Sequence, residues 1–168
     1  LGGTCVNVGC VPSKRLITVG NYLDKFNNKR FDGMSYAARV NNFNKVMQDK
    51  EFLVESLRSD KYQKVLRKLK NVKYMNGFAS FEDKNTLSVN GKKIRAMKIL
   101  VATGARARVP DINGLDKVKY LTNEEALSMK RLPKSMIIIG GRALGLEFAE
   151  MFTHFGVKIT LLQRSERI

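Results

Sequence analysis

The chain has few of the side chains from which metal centres are built. It contains two cysteines and one histidine, His154, in 168 residues. A structural zinc site takes four Cys or His ligands, so these three do not fill one. No apolar run approaches the ~20 residues that a membrane-spanning helix needs. No signal peptide is visible at Leu1. Acidic residues are also short, 15 against 31 Lys and Arg, for a formal charge of +16. Such a surplus attracts polyanions, which makes a basic nucleic-acid-binding module a rival reading. The basic residues are spread along the chain, however, and no aromatic ladder or known nucleic-acid motif accompanies them. A lysine-rich solvated surface on a protein that binds anionic nucleotides explains the same excess.

Both cysteines fall in the first fourteen residues, LGGTCVNVGCVPSK. Gly2 and Gly3 allow the backbone to pass close to a bulky partner, because glycine has no Cβ. Thr4 stands where it would cap a helix by accepting from its first free amides. A cysteine in the first helical turn feels the positive end of the helix, which favours thiolate and lowers the pKa. Residues five apart lie on different faces of a regular helix, so Cys5 and Cys10 meet only if that first turn is distorted. A strained pair of this kind suits a disulfide that is readily reduced and re-formed, and such a pair fits a reducing cytoplasm. The alternative is two inert buried thiols, to which the electropositive, Gly-flanked setting is less suited.

Helical spacing of apolar residues runs from Val11 to Phe26 and ends in the polar loop Asn27–Arg30. Tyr36–Val40 has no clear pattern. Asn44–Lys70 reads as one long amphipathic helix, kinked or straight, with a solvated charged face. Tyr62 lies at the edge of its apolar stripe. Val72–Phe81, Thr86–Val89 and Lys93–Ala102 read as three strands of a small antiparallel unit, with Asn90-Gly91 a hairpin turn. The run Lys98–Ala102 is apolar throughout, as in a strand covered on both faces. It leads into Thr103-Gly104-Ala105, a turn of small residues that admits a planar or phosphorylated ligand to the backbone. A connector follows, then a short strand at Lys117–Leu121 and a helix opened by the capping box Thr122…Glu125. A turn at Leu132–Lys134 marks a domain boundary, giving units 1–132 and 133–168.

The second unit reads strand, glycine-rich turn, helix, strand: Ser135–Ile139, Gly140–Gly145, Leu146–Phe155 and Val157–Leu162. This arrangement places a pyrophosphate on a helix N-terminus and opens a Rossmann-type domain. Gly140, Gly141 and Gly145 are in place, but Arg142 stands where G-x-G-x-x-G takes its second glycine. Its side chain therefore points away from a pyrophosphate or donates to it. After the second strand comes Gln163-Arg164-Ser165 in place of the acidic residue that bonds a ribose 2′-hydroxyl. A guanidinium there clamps a 2′-phosphate, so Arg164, assisted by Arg167, argues for NADPH. Glu147 is a first-turn carboxylate favoured by the helix dipole. His154, mid-helix, is taken as structural.

The cysteine motif, extended by Pro12-Ser13-Lys14, resembles the redox-active segment of the flavoprotein disulfide reductases, the pyridine nucleotide-disulfide oxidoreductase family. The resemblance implies an α/β fold: part of an FAD-binding domain with a small antiparallel unit, then the start of an NAD(P)-binding domain. It implies that Cys5 is the interchange thiol, Cys10 the charge-transfer thiol against the flavin, and Lys14 the cation near flavin N5, paired in a buried ion pair with Glu147. Ala102–Ala105 would pack against FAD. Within the family, Leu57-Arg58…Lys61-Tyr62 is similar to a stretch of the mercuric reductases, where the tyrosine faces the metal-binding thiols. Departures from the glycine pattern at the position of Arg142 also occur there. Hg(II) held by Cys5 and Cys10 is then the implied substrate; a disulfide, as in dihydrolipoamide dehydrogenase, is the alternative. The resemblance further implies an internal fragment of a longer homodimeric chain. A preceding strand would carry a second glycine-rich turn, and later segments would supply a dimerisation domain, a His-Glu pair and vicinal cysteines.

Overall fold

The computed structural model describes residues 1–28, 32–35 and 37–166. Tyr36, part of the unassigned Tyr36–Val40 stretch, Lys29 and Arg30 of the predicted loop, and Arg167 lie outside the described residues.

Two helices open the chain, α1 (Gly3–Val8) and α2 (Cys10–Asn27), where one helix from Val11 is predicted. The single helix predicted over Asn44–Lys70 is α3 (Phe43–Leu57), one π-helical turn (Arg58–Gln63) and α4 (Lys64–Lys68). The Asn42 side chain caps α3 by accepting from the Lys45 amide at 3.2 Å. In the π turn the Lys64 amide reaches back five residues to the Ser59 carbonyl, so the apolar stripe slips by one position there.

Strands β1 (Ala79–Asp83), β2 (Thr86–Val89) and β3 (Lys92–Arg95) form the antiparallel unit in the order β1-β2-β3. Ala79 pairs with Val89, Leu87 pairs with Ile94, and the ladder shifts between Phe81 and Asp83. Asn90 and Gly91, at φ 50° and 78°, make the turn the Asn-Gly pair predicts. The strands are shorter than expected. Residues 72–78 and 96–102 are outside any strand, and Leu100 is 90% and Val101 63% exposed. A strand exists only through hydrogen bonds to a neighbour, and among the described residues none lies beside Lys98–Ala102. For the same reason Lys117–Leu121 is not a strand; a 3-10 turn (Leu115–Lys117) passes into unpaired chain before the short helix α5 (Asn123–Ala126).

The last unit keeps the predicted order, β4 (Ser135–Ile139), α6 (Ala143–His154) and β5 (Lys158–Leu162), with the helix starting at Ala143 rather than Leu146 and His154 at its end rather than its middle; the two strands are parallel and in register from Ser135 with Lys158 to Ile139 with Leu162. Gly156, at φ 85°, ends α6. One core joins this unit to the first helices. Leu16 of α2, Phe43 and Met47 of α3, and Met151 and Phe152 of α6 are all buried in it. The rings of Phe43 and Phe155 meet edge to face at 5.4 Å. Helices α2 and α6 approach closely at Gly20, where a Cβ would stand 3.1 Å from that of His154. The core therefore crosses the boundary expected at residue 133. Among the described residues no helix is long and apolar enough to cross a membrane.

Candidate functional site

Gly9 makes the cysteine pair possible. A Cβ on it would lie 2.9 Å from the Thr4 carbonyl oxygen and 3.2 Å from the Cys5 Cα, so only glycine lets the chain cross α1 this tightly. The crossing ends α1 and starts α2 at Cys10. It is the distortion that the five-residue spacing demands, and it sets the two thiols close enough for Cys10 to act on the ionisation of Cys5. Both cysteines are free and exposed. The hydrogen bond to Cys10 holds the Cys5 pKa above its ordinary value, and desolvation and the charge of an ionised Cys10 push the same way. The amides of Cys10 and Val11 pull downward and do not prevail. The lowered pKa expected of a first-turn cysteine is therefore not found at Cys5.

Thr4 is not the cap it was expected to be. It lies inside α1, whose N-cap is Gly2 at φ 98°, and no side chain caps the helix. Its hydroxyl instead faces Gly104, at φ 80°, where an added Cβ would stand 2.9 Å from Thr4 Oγ1. The structure thus brings Gly2, Gly3 and Thr4 beside the small-residue turn Ala102-Thr103-Gly104-Ala105, two segments about a hundred residues apart in sequence. With no Cβ at Gly2, Gly3 or Gly104 these segments offer bare backbone, which suits a flat cofactor such as FAD lying against them.

Lys14 lies one turn beyond Cys10 on the same face of α2. Its Nζ donates to Glu147 Oε1 on α6. The ion pair implied by the resemblance is present, but not buried: the side chains are 58% and 37% exposed. Tyr62 stands half-buried in the π turn, and no hydrogen bond joins it to either cysteine among the described residues. Nor do three His, Cys, Asp or Glu side chains converge anywhere among them, leaving Cys5 and Cys10 as a two-sulfur site.

At the second turn Gly140 has φ 113° and its amide donates to the Leu162 carbonyl. A Cβ on Gly145 would stand 1.8 Å from the Gly140 carbonyl oxygen, which makes this glycine obligatory for the approach of α6 to β4. Arg142 is the N-cap residue of α6, at φ −80°, and contributes no side-chain cap, so the first amides of the helix keep their donors. Arg142 lines, with Gly140, Gly145 and Arg164, an open cavity of about 1050 Å³. Uncapped amides, two exposed guanidinium groups and glycine backbone fit the phosphates of a dinucleotide.

Sequence reasoning missed several residues that hold these parts in place. Gln163 Oε1 accepts from the Gly141 amide at 2.8 Å and its Nε2 donates to Ser165 Oγ, tying the glycine turn to the end of β5. Asn123 Nδ2 donates to the Val8 carbonyl at the end of α1 at 2.9 Å, and Arg58 donates to Asn7 inside it. Amides and guanidinium groups acting across long sequence separations leave no local pattern. His154, at the α2–α6 contact, keeps Nε2 3.7 Å from Asp24 Oδ1, and its Nδ1 is buried with no hydrogen-bond partner among the described residues.

Comparison with known proteins agrees with this geometry. The family described as "Pyridine nucleotide-disulphide oxidoreductase" matches residues 1–168. A mercuric reductase of Lysinibacillus sphaericus is 40% identical over 168 residues, all of this chain and 31% of its own length. A dihydrolipoyl dehydrogenase of Acholeplasma laidlawii is 31% identical over all of this chain and 51% of its own. The HOCl-induced flavoprotein disulfide reductase RclA of Escherichia coli superposes with a TM-score of 0.81 at 31% identity, covering 98% of this chain and 34% of that one. The chain thus spans about a third to a half of the length of these relatives. Flavoprotein disulfide reductases use FAD and a nicotinamide nucleotide. A thiol pair across a glycine crossing, a lysine one turn on, and a match over every residue together place this chain in the pyridine nucleotide-disulphide oxidoreductase family.

Proposed function

We propose that the chain is part of an NADPH-dependent flavoprotein oxidoreductase that reduces Hg(II) to Hg(0). The observation that carries this reading is the contact of two exposed, free thiols across Gly9. Two adjacent thiols cycle between dithiol and disulfide by releasing or taking up two electrons and two protons. In the dithiol form they bind a soft metal ion by giving up their protons. We assign residues 1–132 to the FAD domain and 133–168 to the opening of the NAD(P) domain.

In this reading Gly2, Gly3, Thr4 and Ala102–Ala105 hold FAD, which supplies hydride transfer between the nicotinamide and the thiol pair. Cys10, at the head of α2, faces the ring, and Cys5, on the short outer helix, meets the substrate. Lys14 places a positive charge one turn from Cys10, and Glu147 fixes its direction from α6. Gly140, Gly141, Gly145 and the α6 amides hold the nucleotide pyrophosphate, with Arg142 donating to it, and Arg164 selects the 2′-phosphate of NADPH. Tyr62 is assigned to the substrate side of the thiol pair. Soft Hg(II) is favoured over other thiol-reactive substrates by the whole-chain similarity to mercuric reductases. The positive surplus belongs to a surface that meets anionic nucleotides, and redox-cycling thiols suit the cytoplasm. The full protein acts as a homodimer.

Similarity to a dihydrolipoyl dehydrogenase over the same residues supports a second reading, with a small disulfide as substrate. One assay separates the two. The full-length protein is expected to oxidise NADPH when Hg(II) is added, and Cys10→Ala to abolish this. NADPH consumption retained by Cys10→Ala would sink the mechanism, and turnover with lipoamide but not Hg(II) would select the second reading.

A further inference from the structure

Helix α1 has six residues, too few to stand by itself in water. It starts at a left-handed glycine without a side-chain cap and ends at the Gly9 crossing. Cys5 sits on it, whereas Cys10 is anchored at the start of the eighteen-residue α2. What holds α1 is therefore what holds Cys5 against Cys10.

Val6 is the buried residue of α1, and Asn7 carries the polar ties on its N-terminal side. Its Nδ2 donates to the carbonyls of Leu1 at 3.0 Å and Gly3 at 2.9 Å, folding the lead-in back over the helix. Its Oδ1 accepts from both Nε and Nη2 of Arg58, at 3.0 and 2.8 Å. Both Arg58 donors need an acceptor, so the carboxamide oxygen faces them and its NH₂ faces Leu1 and Gly3. Glu55 Oε2 steadies the far side of the guanidinium by accepting from Nη1 at 2.5 Å. Arg58 is the first residue of the π turn, so the irregularity in the long helix begins where it reaches α1. At the other end of α1 the hydrogen bond from Asn123 to the Val8 carbonyl remains whatever happens at Arg58.

We propose that Arg58, acting through Asn7, is a positioning residue that sets the redox potential of the Cys5–Cys10 pair; this rests on reading that pair as redox-active. Two thiols held in contact form a disulfide at a high effective concentration, and that concentration sets how reducing the pair is. The exchange that measures it converts the protein dithiol and oxidised glutathione into the protein disulfide and two reduced glutathiones. Two electrons pass from the cysteine sulfurs to the glutathione disulfide, and the two protons go to the new thiols. Without the fork the carboxamide turns, α1 frays from its N-terminal side, and Cys5 spends less time against Cys10. The disulfide then becomes easier to reduce.

The test equilibrates the full-length protein in glutathione buffers of graded ratio, traps free thiols with a maleimide, and reads the disulfide fraction. Arg58→Ala is expected to lower the equilibrium constant for disulfide formation about tenfold, a shift of about 30 mV toward less negative potential. Arg58→Lys, a single-point donor, is expected to fall between the two. Glu55→Gln, which leaves the fork on Asn7, is expected to stay near wild type. A wild-type potential in Arg58→Ala overturns the proposal, even if its melting temperature falls. If Arg58→Ala does not fold, a wild-type potential in Arg58→Lys overturns it instead. A wild-type protein that forms no Cys5–Cys10 disulfide in the most oxidising buffer refutes the redox reading itself.

Discussion

Gly145 offers a sharp test of how the nucleotide turn is built. A methyl group there would sit 1.8 Å from the Gly140 carbonyl oxygen. That is roughly 1.5 Å inside ordinary van der Waals contact. Neither party is the end of a flexible side chain, so Gly145→Ala must push the α6 backbone away from β4. Forced overpacking of this kind typically costs about 1–3 kcal/mol. On the proposed assignment of this turn to the nucleotide, displacing the helix N-terminus lowers affinity beyond the loss of stability, and a misplacement of about 1 Å in a binding cradle can reduce turnover about 100-fold. Gly141→Ala is the milder comparison. A Cβ there has the Gln163 side chain nearest, at 3.3 Å, a far looser approach than 1.8 Å from a backbone oxygen. It should cost less than about 1 kcal/mol. Thermal unfolding and NADPH titration of the two full-length variants provide the readout. Equal tolerance of both substitutions would refute the claim that contact of helix with turn, rather than the glycine motif as such, makes Gly145 obligatory.

The thiol pair and the small helix α5 (Asn123–Ala126) give further predictions. Since the hydrogen bond to Cys10 is the largest cause of the raised Cys5 pKa, Cys10→Ser in the reduced protein should weaken that effect. The pH midpoint for alkylation of Cys5 by iodoacetamide should then move down, so that Cys5 reacts faster near neutral pH; an unchanged midpoint would contradict the geometry. At α5, Thr122 accepts from the Glu124 amide, while the Thr122 hydroxyl and amide both donate to Glu125 and hold its pKa below the usual value. A depressed carboxylate pKa stabilises the fold above the unfolded value and loses that contribution as pH falls through the folded one. Thr122→Ala removes both the cap and this carboxylate contact and should lower the melting temperature near neutral pH. In acid, once Glu125 is protonated, the gap to wild type should narrow; a gap that is constant across pH would show that the carboxylate takes no part.

Local chemistry made much of this chain readable. The strand-turn-helix-strand of residues 135–162, the Asn90-Gly91 hairpin and the Thr122–Glu125 box each depend on contacts within a few residues, so their patterns survive in one dimension. The cysteine motif was equally legible, as was the need for a distortion between Cys5 and Cys10. The unpaired course of Lys98–Ala102 was not, because apolar composition states what could be covered and says nothing of which strand pairs with it.

Residue order by itself determined the thiol pair, the glycine positions and the charge surplus, since each is a property of side chains at short spacing. Tertiary structure alone decided that Thr4 faces Gly104 rather than capping a helix, that Gly145 must be bare because of the Gly140 carbonyl, and that Asn7 answers to Arg58 fifty-one residues away. It also decided that Cys5 holds its proton more firmly than a first-turn cysteine would. In each case the partner comes from a different element, and only packing of the helices on one core brings the two within reach.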